Sequence, residues 1–378
     1  MNDESSFSII DFGSSKIRLG LFNSYLENSN FIIEDNLITN FKDRIIEDHS
    51  AKKVIKKLIL RSEKETNQHI ENVNIMIDDP KGLMVNLSLK KKIENNLNET
   101  NIKKIIQEGK ILIEDNYKNF KVCHLIISQY KVDGTKYDKI PNDLFINDII
   151  VDIKFLLISR DLINNFRYYF KSNHISVNNF YNTSYVKTLG YNKYFENFDF
   201  KFFLDLGYKK TSLSIYKENK LDQIHYIPIG SLHITKDISK VTKVSIEDAE
   251  NLKKNLKQTN IDLNNHHEDL LIKVIHARIE EIIDLCFKNL NNFKEYRSSN
   301  SILIFIGEGS KLLNKNTIYL KEEYNFFNEM NFFEENSETI CNSAYNFHFS
   351  ENINEVKFTP KKHRKYGFFE RFFYMFNI

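Results

Sequence analysis

Hydrophobic positions along this chain fall into two periods. Phe7 to Asp11 and Ile17 to Phe22 are short apolar-rich runs on either side of Gly13-Ser14-Ser15, which predicts a β-hairpin. The unit recurs near the middle as a strand from Phe200 to Leu206, then Gly207, then a strand from Thr211 to Tyr216. Further strands are predicted over 73–77, 122–128, 149–158 and 222–228, and a continuously apolar, buried one over 301–306. A helical period takes over at 51–70, at 101–116 through Ile102, Ile105, Ile106 and Leu112, at 161–171 behind Ser159 or Asp161 as cap, and at 268–290. Residues 177–189 read as strand, loop and helix. Ser245-Ile246-Glu247-Asp248 opens another helix, with acids in the first turn where the dipole favours them. Residues 331–354 are polar and fit neither period.

The recurrence divides the chain. Two similar halves, each with a strand–glycine–strand unit, imply a duplicated α/β fold with a cleft between lobes. The 378 residues are enough for two domains. With 41% hydrophobic and 28% charged residues the chain has a sizeable core, and a net charge of +2 supplies no overall field toward nucleic acid. Eleven glycines are few for this length, so each glycine in a turn is informative. Cys123, Cys286 and Cys341 stand in apolar contexts without metal-like spacing and read as buried thiols of a reducing compartment. Met1-Asn2-Asp3-Glu4 is acidic and no apolar run reaches transmembrane length, so the chain reads as cytoplasmic.

Three glycine turns carry the candidate chemistry. Asp11-Phe12-Gly13-Ser14-Ser15-Lys16 puts a carboxylate at a strand end before a turn whose backbone N–H groups can cradle phosphate oxygens. The hydroxyls add donors, and Asp11 is placed to hold a hydrated Mg²⁺. Asp205-Leu206-Gly207 repeats the arrangement, and Gly307-Glu308-Gly309-Ser310 closes the buried strand with a third turn suited to lie near a nucleotide base. Taken singly each is ordinary hairpin geometry; the three in this order are informative. His266, His267, His276 and Glu280 lie along a polar helix and read as a solvated face rather than a metal site.

The order of these turns resembles the actin/Hsp-chaperone/sugar-kinase superfamily and, within it, the FtsA family of bacterial cell-division proteins, over nearly the full length. Residues 10–16 are similar to that family's first phosphate loop, with Ser14 and Ser15 where two threonines are usual. His124-Leu125-Ile126 and Tyr130 to Gly134 resemble part of its inserted subdomain, and Asp248-Ala249-Glu250 with Lys253 its helix near the ribose. Phe305 to Leu312 resembles its adenosine loop. The resemblance implies a two-lobed actin-like (duplicated ribonuclease-H-like) fold. Subdomain 1A would occupy 1–72 and 161–197, an inserted 1C 73–160, 2A 198–232 and 300–358, a helical 2B 233–299, and a linker with a C-terminal amphipathic helix 359–378. It implies ATP with Mg²⁺, held by Asp11, Gly13, Ser14, Ser15, Lys16, Asp205, Gly207, Lys209, Thr211, Glu250, Lys253, Gly307, Gly309 and Ser310. It also implies self-association into filaments, recruitment of later division proteins, and tethering of the tubulin-like protein FtsZ to the cytoplasmic face of the inner membrane at the septum. Lys253, Lys254 and Lys257 are suited to the acidic tail of FtsZ. The second phosphate loop departs from the family's Asp-x-Gly-Gly-Gly-Thr-Thr-Asp: Tyr208 and Lys209 replace two glycines, and Ser212 the final acid. Side chains there obstruct close phosphate approach, although Lys209 or Lys210 adds positive charge, and Glu308 replaces a glycine of the adenosine loop. Hydrolysis is expected to be weak at most. An actin-like scaffold of a pilus or secretion assembly, or a small-molecule kinase of the same superfamily, are the alternatives.

The final residues resemble the family's membrane-targeting helix. Lys361, Lys362, Arg364 and Lys365 form a basic cluster behind Pro360. At roughly 100° per residue, Phe368, Phe369, Phe372, Phe373 and Phe376 gather on one helix face. The stretch is shorter than the ~20 apolar residues of a bilayer span and fits a helix lying in the membrane interface, or else a helix docked on its own domain.

Overall fold

A computed structural model of the chain describes residues 7–22, 30–37, 49–93, 99–139, 147–255, 266–288, 290, 295–296, 300–313, 325–350 and 355–356. Its frame is two five-stranded sheets of one topology. The first has the order β3-β2-β1-β4-β9, from β1 (Phe7–Phe12), β2 (Lys16–Phe22), β3 (Phe31–Asn36), β4 (Asn72–Met76) and β9 (Ser176–Tyr181). The second has the order β12-β11-β10-β13-β14, from β10 (Phe200–Leu206), β11 (Thr211–Lys217), β12 (Lys220–Ile227), β13 (Ser301–Ile306) and β14 (Glu329–Phe332). In each, the hairpin strands pair antiparallel and the two later strands pair parallel. The expected duplication is therefore present strand by strand. β1 and β13 are buried along their whole length, because helices cover both faces of each sheet, and so they read as continuous apolar runs rather than as alternation.

Helices α1 (His49–Thr66) and α3 (Arg160–Ser172) cover one face of the first sheet through Ala51, Ile55, Leu58, Ile163, Phe166 and Phe170. The second sheet is covered in the same way by α5 (Ser231–Thr242), α6 (Ile246–Asn255) and α7 (His266–Phe287). At the start of α6 the Asp248 N–H donates to Ser245 Oγ, so the predicted helix start is a side-chain cap. Ser159 occupies the cap position of α3 without a hydroxyl cap bond; its N–H donates to Asp79 Oδ2 instead.

The remaining two helices exchange lobes. α4 (Thr183–Asn192) leaves β9 of the first sheet and packs on β10, β11 and β12 of the second. α8 (Ser337–Phe349) leaves β14 of the second sheet and packs on β1, β2 and β3 of the first. They touch each other, and one core joins Ile9, Phe22, Tyr185, Phe203, Ile304 and Phe347 across the lobes.

Between β4 and α3 the chain builds a four-stranded sheet, β5-β8-β6-β7, from β5 (Leu83–Lys92), β6 (Phe120–Val132), β7 (Thr135–Tyr137) and β8 (Asp148–Ser159), with α2 (Glu99–Asn116) against it. β4 pairs in parallel with β1, so it belongs to the first lobe and the inserted sheet starts at Leu83 rather than at 73. The expected C-terminal helix over 359–378 lies outside the described residues, and among those described no helix is long and apolar enough to cross a membrane.

Candidate functional site

The two hairpin turns and the third glycine turn meet in one cleft between the lobes. Asp11, Gly13, Ser14 and Ser15 line it from the first hairpin, Asp205 and Gly207 from the second, and Gly307 from the third turn. Gly13 and Gly207 hold equivalent places: a Cβ on either would stand 2.8 Å or 2.7 Å from the carbonyl oxygen three residues on, Lys16 O and Lys210 O respectively. Gly307 has φ +88° and ψ 160°, a backbone region that side-chain-bearing residues avoid.

Other predicted residues take structural places. Thr211 is fully buried and its hydroxyl donates to Ile229 O at 2.7 Å. Ser310 Oγ donates to Gly307 O at 2.7 Å, closing its own turn. Gly309 packs against Leu206. Lys16 pairs with Glu34 at 2.8 Å and stands 3.9 Å from Glu308 of the third turn. Glu250 and Lys253 stand on α6 and bond to each other at 2.7 Å, with Lys253 Nζ also donating to Thr235 Oγ1 and Ser231 O. The Tyr208 ring, 5.7 Å from Lys253 Nζ, fills the space between them and the second hairpin. Lys253 is buried and so is not a surface lysine for an acidic partner; Lys254 is exposed, and Lys257 lies outside the described residues. Lys361, Lys362, Arg364, Lys365 and the phenylalanines 368, 369, 372, 373 and 376 also lie outside them.

Four charged residues of the cleft lie outside the motifs: Arg18, Asp78, Lys187 and Glu335. Arg18 faces Asp11 across the hairpin register and bonds Asp11 Oδ2 at 2.9 Å. Asp78, just after β4, accepts from the Ser184 N–H at 2.9 Å and Ser184 Oγ at 2.8 Å, and pairs with Lys210 Nζ at 3.2 Å. Lys187, on α4, reaches Asp205 Oδ2 at 2.8 Å and Glu335 Oε1 at 2.9 Å. Glu335 Oε2 accepts the Gly307 N–H at 2.9 Å. A charge inside an otherwise apolar strand or helix was the available signal for Arg18 and Lys187. Glu335 falls in the stretch where periodicity failed.

Burial pushes the Asp11 carboxyl up despite the Arg18 guanidinium beside it. Burial acts on Asp78 in the same sense, but Lys210 and the Ser184 donors outweigh it and hold that carboxyl below its ordinary value. Burial disfavours the Lys187 ammonium, yet Asp205 and Glu335 more than offset it and keep it charged.

An actin-like frame places Mg²⁺ and a nucleotide in such a cleft, and the donor set tests the fit. Asp11, the expected metal ligand, already has one carboxylate oxygen on Arg18 and the other 3.5 Å from Thr183 Oγ1. Asp205 and Glu335 share one ammonium. The Lys209 N–H donates to Ser14 Oγ at 3.2 Å, joining the two hairpin turns directly. The space left is about 90 Å³, against the ~300–1,000 Å³ of small-molecule pockets. In this geometry the side chains present do not fit a magnesium–nucleotide complex.

Comparison with known proteins agrees with the architecture. The family model described as cell division protein FtsA matches residues 202–317, which run from the second hairpin through the helical unit to just past the third turn. Cell division protein FtsA of Bacillus subtilis (strain 168) is 28% identical over 106 residues, 24% of this chain and 24% of that protein, so the match spans about a quarter of the curated relative's length. Among solved structures, a PilM–PilN type IV pilus biogenesis complex superposes with a TM-score of 0.59 at 11% identity, covering 89% of this chain and 90% of that one. MreB5 of Spiroplasma citri bound to ADP gives a TM-score of 0.45 at 12% identity, covering 90% and 95%. With the duplicated sheets, the lobe-exchanging helices and that match over the second lobe, the chain is an FtsA-like protein with the actin-like ATPase fold.

Proposed function

We propose that this protein is an actin-like cell-division scaffold that tethers FtsZ filaments to the cytoplasmic face of the inner membrane at the septum, self-associates, and recruits later division proteins. The match over 202–317 carries the reading, because it follows one family's pattern through the second hairpin, α5 to α7 and the third turn. The helical unit α5–α7 is the docking surface for the acidic FtsZ tail, with Lys254 among its exposed lysines. The amphipathic stretch 368–376 is the membrane contact. One such helix binds lipid reversibly; a filament that presents many of them multiplies the affinity by avidity. Lys361, Lys362, Arg364 and Lys365 add attraction to anionic lipid of ~1 kcal/mol each.

Liposome flotation tests this. The full chain should float with anionic vesicles and carry an FtsZ tail peptide with it, and a truncation ending at Thr359 should do neither. Phe369→Asp with Phe372→Asp removes two anchors of about 1.5–3 kcal/mol each and should abolish flotation while the far-ultraviolet circular dichroism is unchanged. Flotation without peptide capture would replace FtsZ tethering with a different actin-like membrane scaffold. Absence of flotation would sink the tether.

A further inference from the structure

The acids at the strand ends of the cleft do not stand open to a metal or a phosphate ester. Lys187 comes from α4, Asp205 from the end of β10, and Glu335 from the residues just before α8. One ammonium, 6% exposed, therefore pins α4, which already packs on the second sheet, to the second hairpin and to the residues that open α8. Glu335 extends the tie by accepting the Gly307 N–H, which fixes the third turn. Two bonds run across the cleft from the second hairpin to the first lobe: Lys210 to Asp78, and the Lys209 N–H to Ser14 Oγ. A hard divalent cation needs several free oxygen ligands, and an ammonium among these carboxylates takes up both their charge and the space beside them.

We infer that Lys187 takes the place of a bound metal among the acids of this cleft and that, with the Lys210–Asp78 pair and the Lys209–Ser14 bond joining the lobes, the protein stands in the closed form without nucleotide. This departs from the expectation of ATP with Mg²⁺. It requires no lipid or FtsZ peptide, so it stands or falls separately from the tether.

The first test is calorimetric titration of the purified full chain with ATP in excess Mg²⁺, alongside its melting temperature with and without both. No saturable heat and an unmoved melting temperature are expected up to millimolar ATP. Saturable binding, or a melting temperature that rises with ATP, overturns the inference. The second test is Lys187→Ala, which leaves Asp205 and Glu335 as neighbouring buried carboxylates without their cation. Its melting temperature should fall by about 5 °C or more, and millimolar Mg²⁺ alone should recover part of that loss while leaving the parent protein unchanged. A variant as stable as the parent overturns the inference. Should the variant fail to fold, the titration of the parent protein still decides.

Discussion

Lys201 is a charge that the fold disfavours. It sits in β10 between Phe200 and Phe202, fully buried, with its ammonium donating to Asn219 Oδ1. Burial lowers its pKa from 10.5 to about 8, against weak support from Glu196 and Asp199. A folded-state value below the free one means that the unfolded chain binds the proton more tightly. The penalty is therefore complete below pH 8, where both states are charged, and fades as pH rises from 8 to 10.5. Lys201→Met keeps the stem volume and removes the charge, and the exposed Asn219 amide turns to water. The variant should melt higher than the parent at pH 7, at about 2–4 °C per kcal/mol gained, with the gain shrinking between pH 8 and pH 10.5. A variant that melts lower at pH 7, or whose gain is constant with pH, would refute the assignment. The contrast with Lys187 is instructive: both are buried lysines, but Lys187 meets two carboxylates and Lys201 an amide.

At the scale of the element, the third turn joins β13 to the second hairpin, and Gly307 makes that approach possible. A Cβ there would meet Asp205 Oδ1 and stand 2.8 Å from Leu206 O, on a backbone at φ +88°. Gly134, in the β6–β7 turn, has a similar φ of +86° but nothing within 4 Å of the same Cβ position. The pair separates strain from crowding. Gly134→Ala should cost only the backbone term, about 1–2 kcal/mol. Gly307→Ala adds overpacking of about 1–3 kcal/mol and should be the more damaging in urea denaturation; equal losses would show that the neighbours of Gly307 yield freely. The hairpins themselves were legible in the sequence, because an apolar run, a glycine and a second apolar run have few other readings. β3 and β5 were not. β5 alternates Leu87, Leu89 and polar residues with no fully buried position, so it depends on its pairing with β8 rather than on its own pattern. α8 escaped because small Cys341, Ser343 and Ala344 share its inward face with Ile340 and Phe347, so that the helix lies close to α4 on a thin apolar signal. Glu335 was lost with it. Arg18, Asp78, Lys187 and Glu335 thus stand outside the motifs that periodicity and glycine spacing had marked, and only the tertiary fold brings them there.

For the whole molecule, the exchange of α4 and α8 decides how the lobes share stability. Each helix is covalently attached to one sheet and packed on the other, and the core between them draws Ile9 and Phe22 from the first lobe and Phe203, Ile302 and Ile304 from the second. Opening one lobe strips the apolar surface of the other, so the two cannot unfold independently. The inserted sheet is different. Ile102, Ile105, Tyr130, Val132, Ile149 and Val151 form a core of its own. Near the lobes it is tied by Ile126 and Leu156 in the shared core and by Lys154 Nζ on Leu221 O and Asp222. Lys220 Nζ extends the tie to Ser128 O and Asp138, short of the end where Val132 pairs with Ile149. Native-state hydrogen exchange should therefore report two cooperative units. Amides of β1, β4, β10 and β13 should share one high opening free energy, and those pairing Val132 with Ile149 and Tyr130 with Val151 a lower one of their own. Separate opening free energies for β1 and β10 would mean that the exchanged helices do not couple the lobes. A four-stranded insert that exchanges only with the global transition would mean that its attachment through Lys154 and Leu156 extends to the tip. The expected hierarchy leaves a rigid body of two coupled lobes carrying a unit that opens without disturbing the closed cleft.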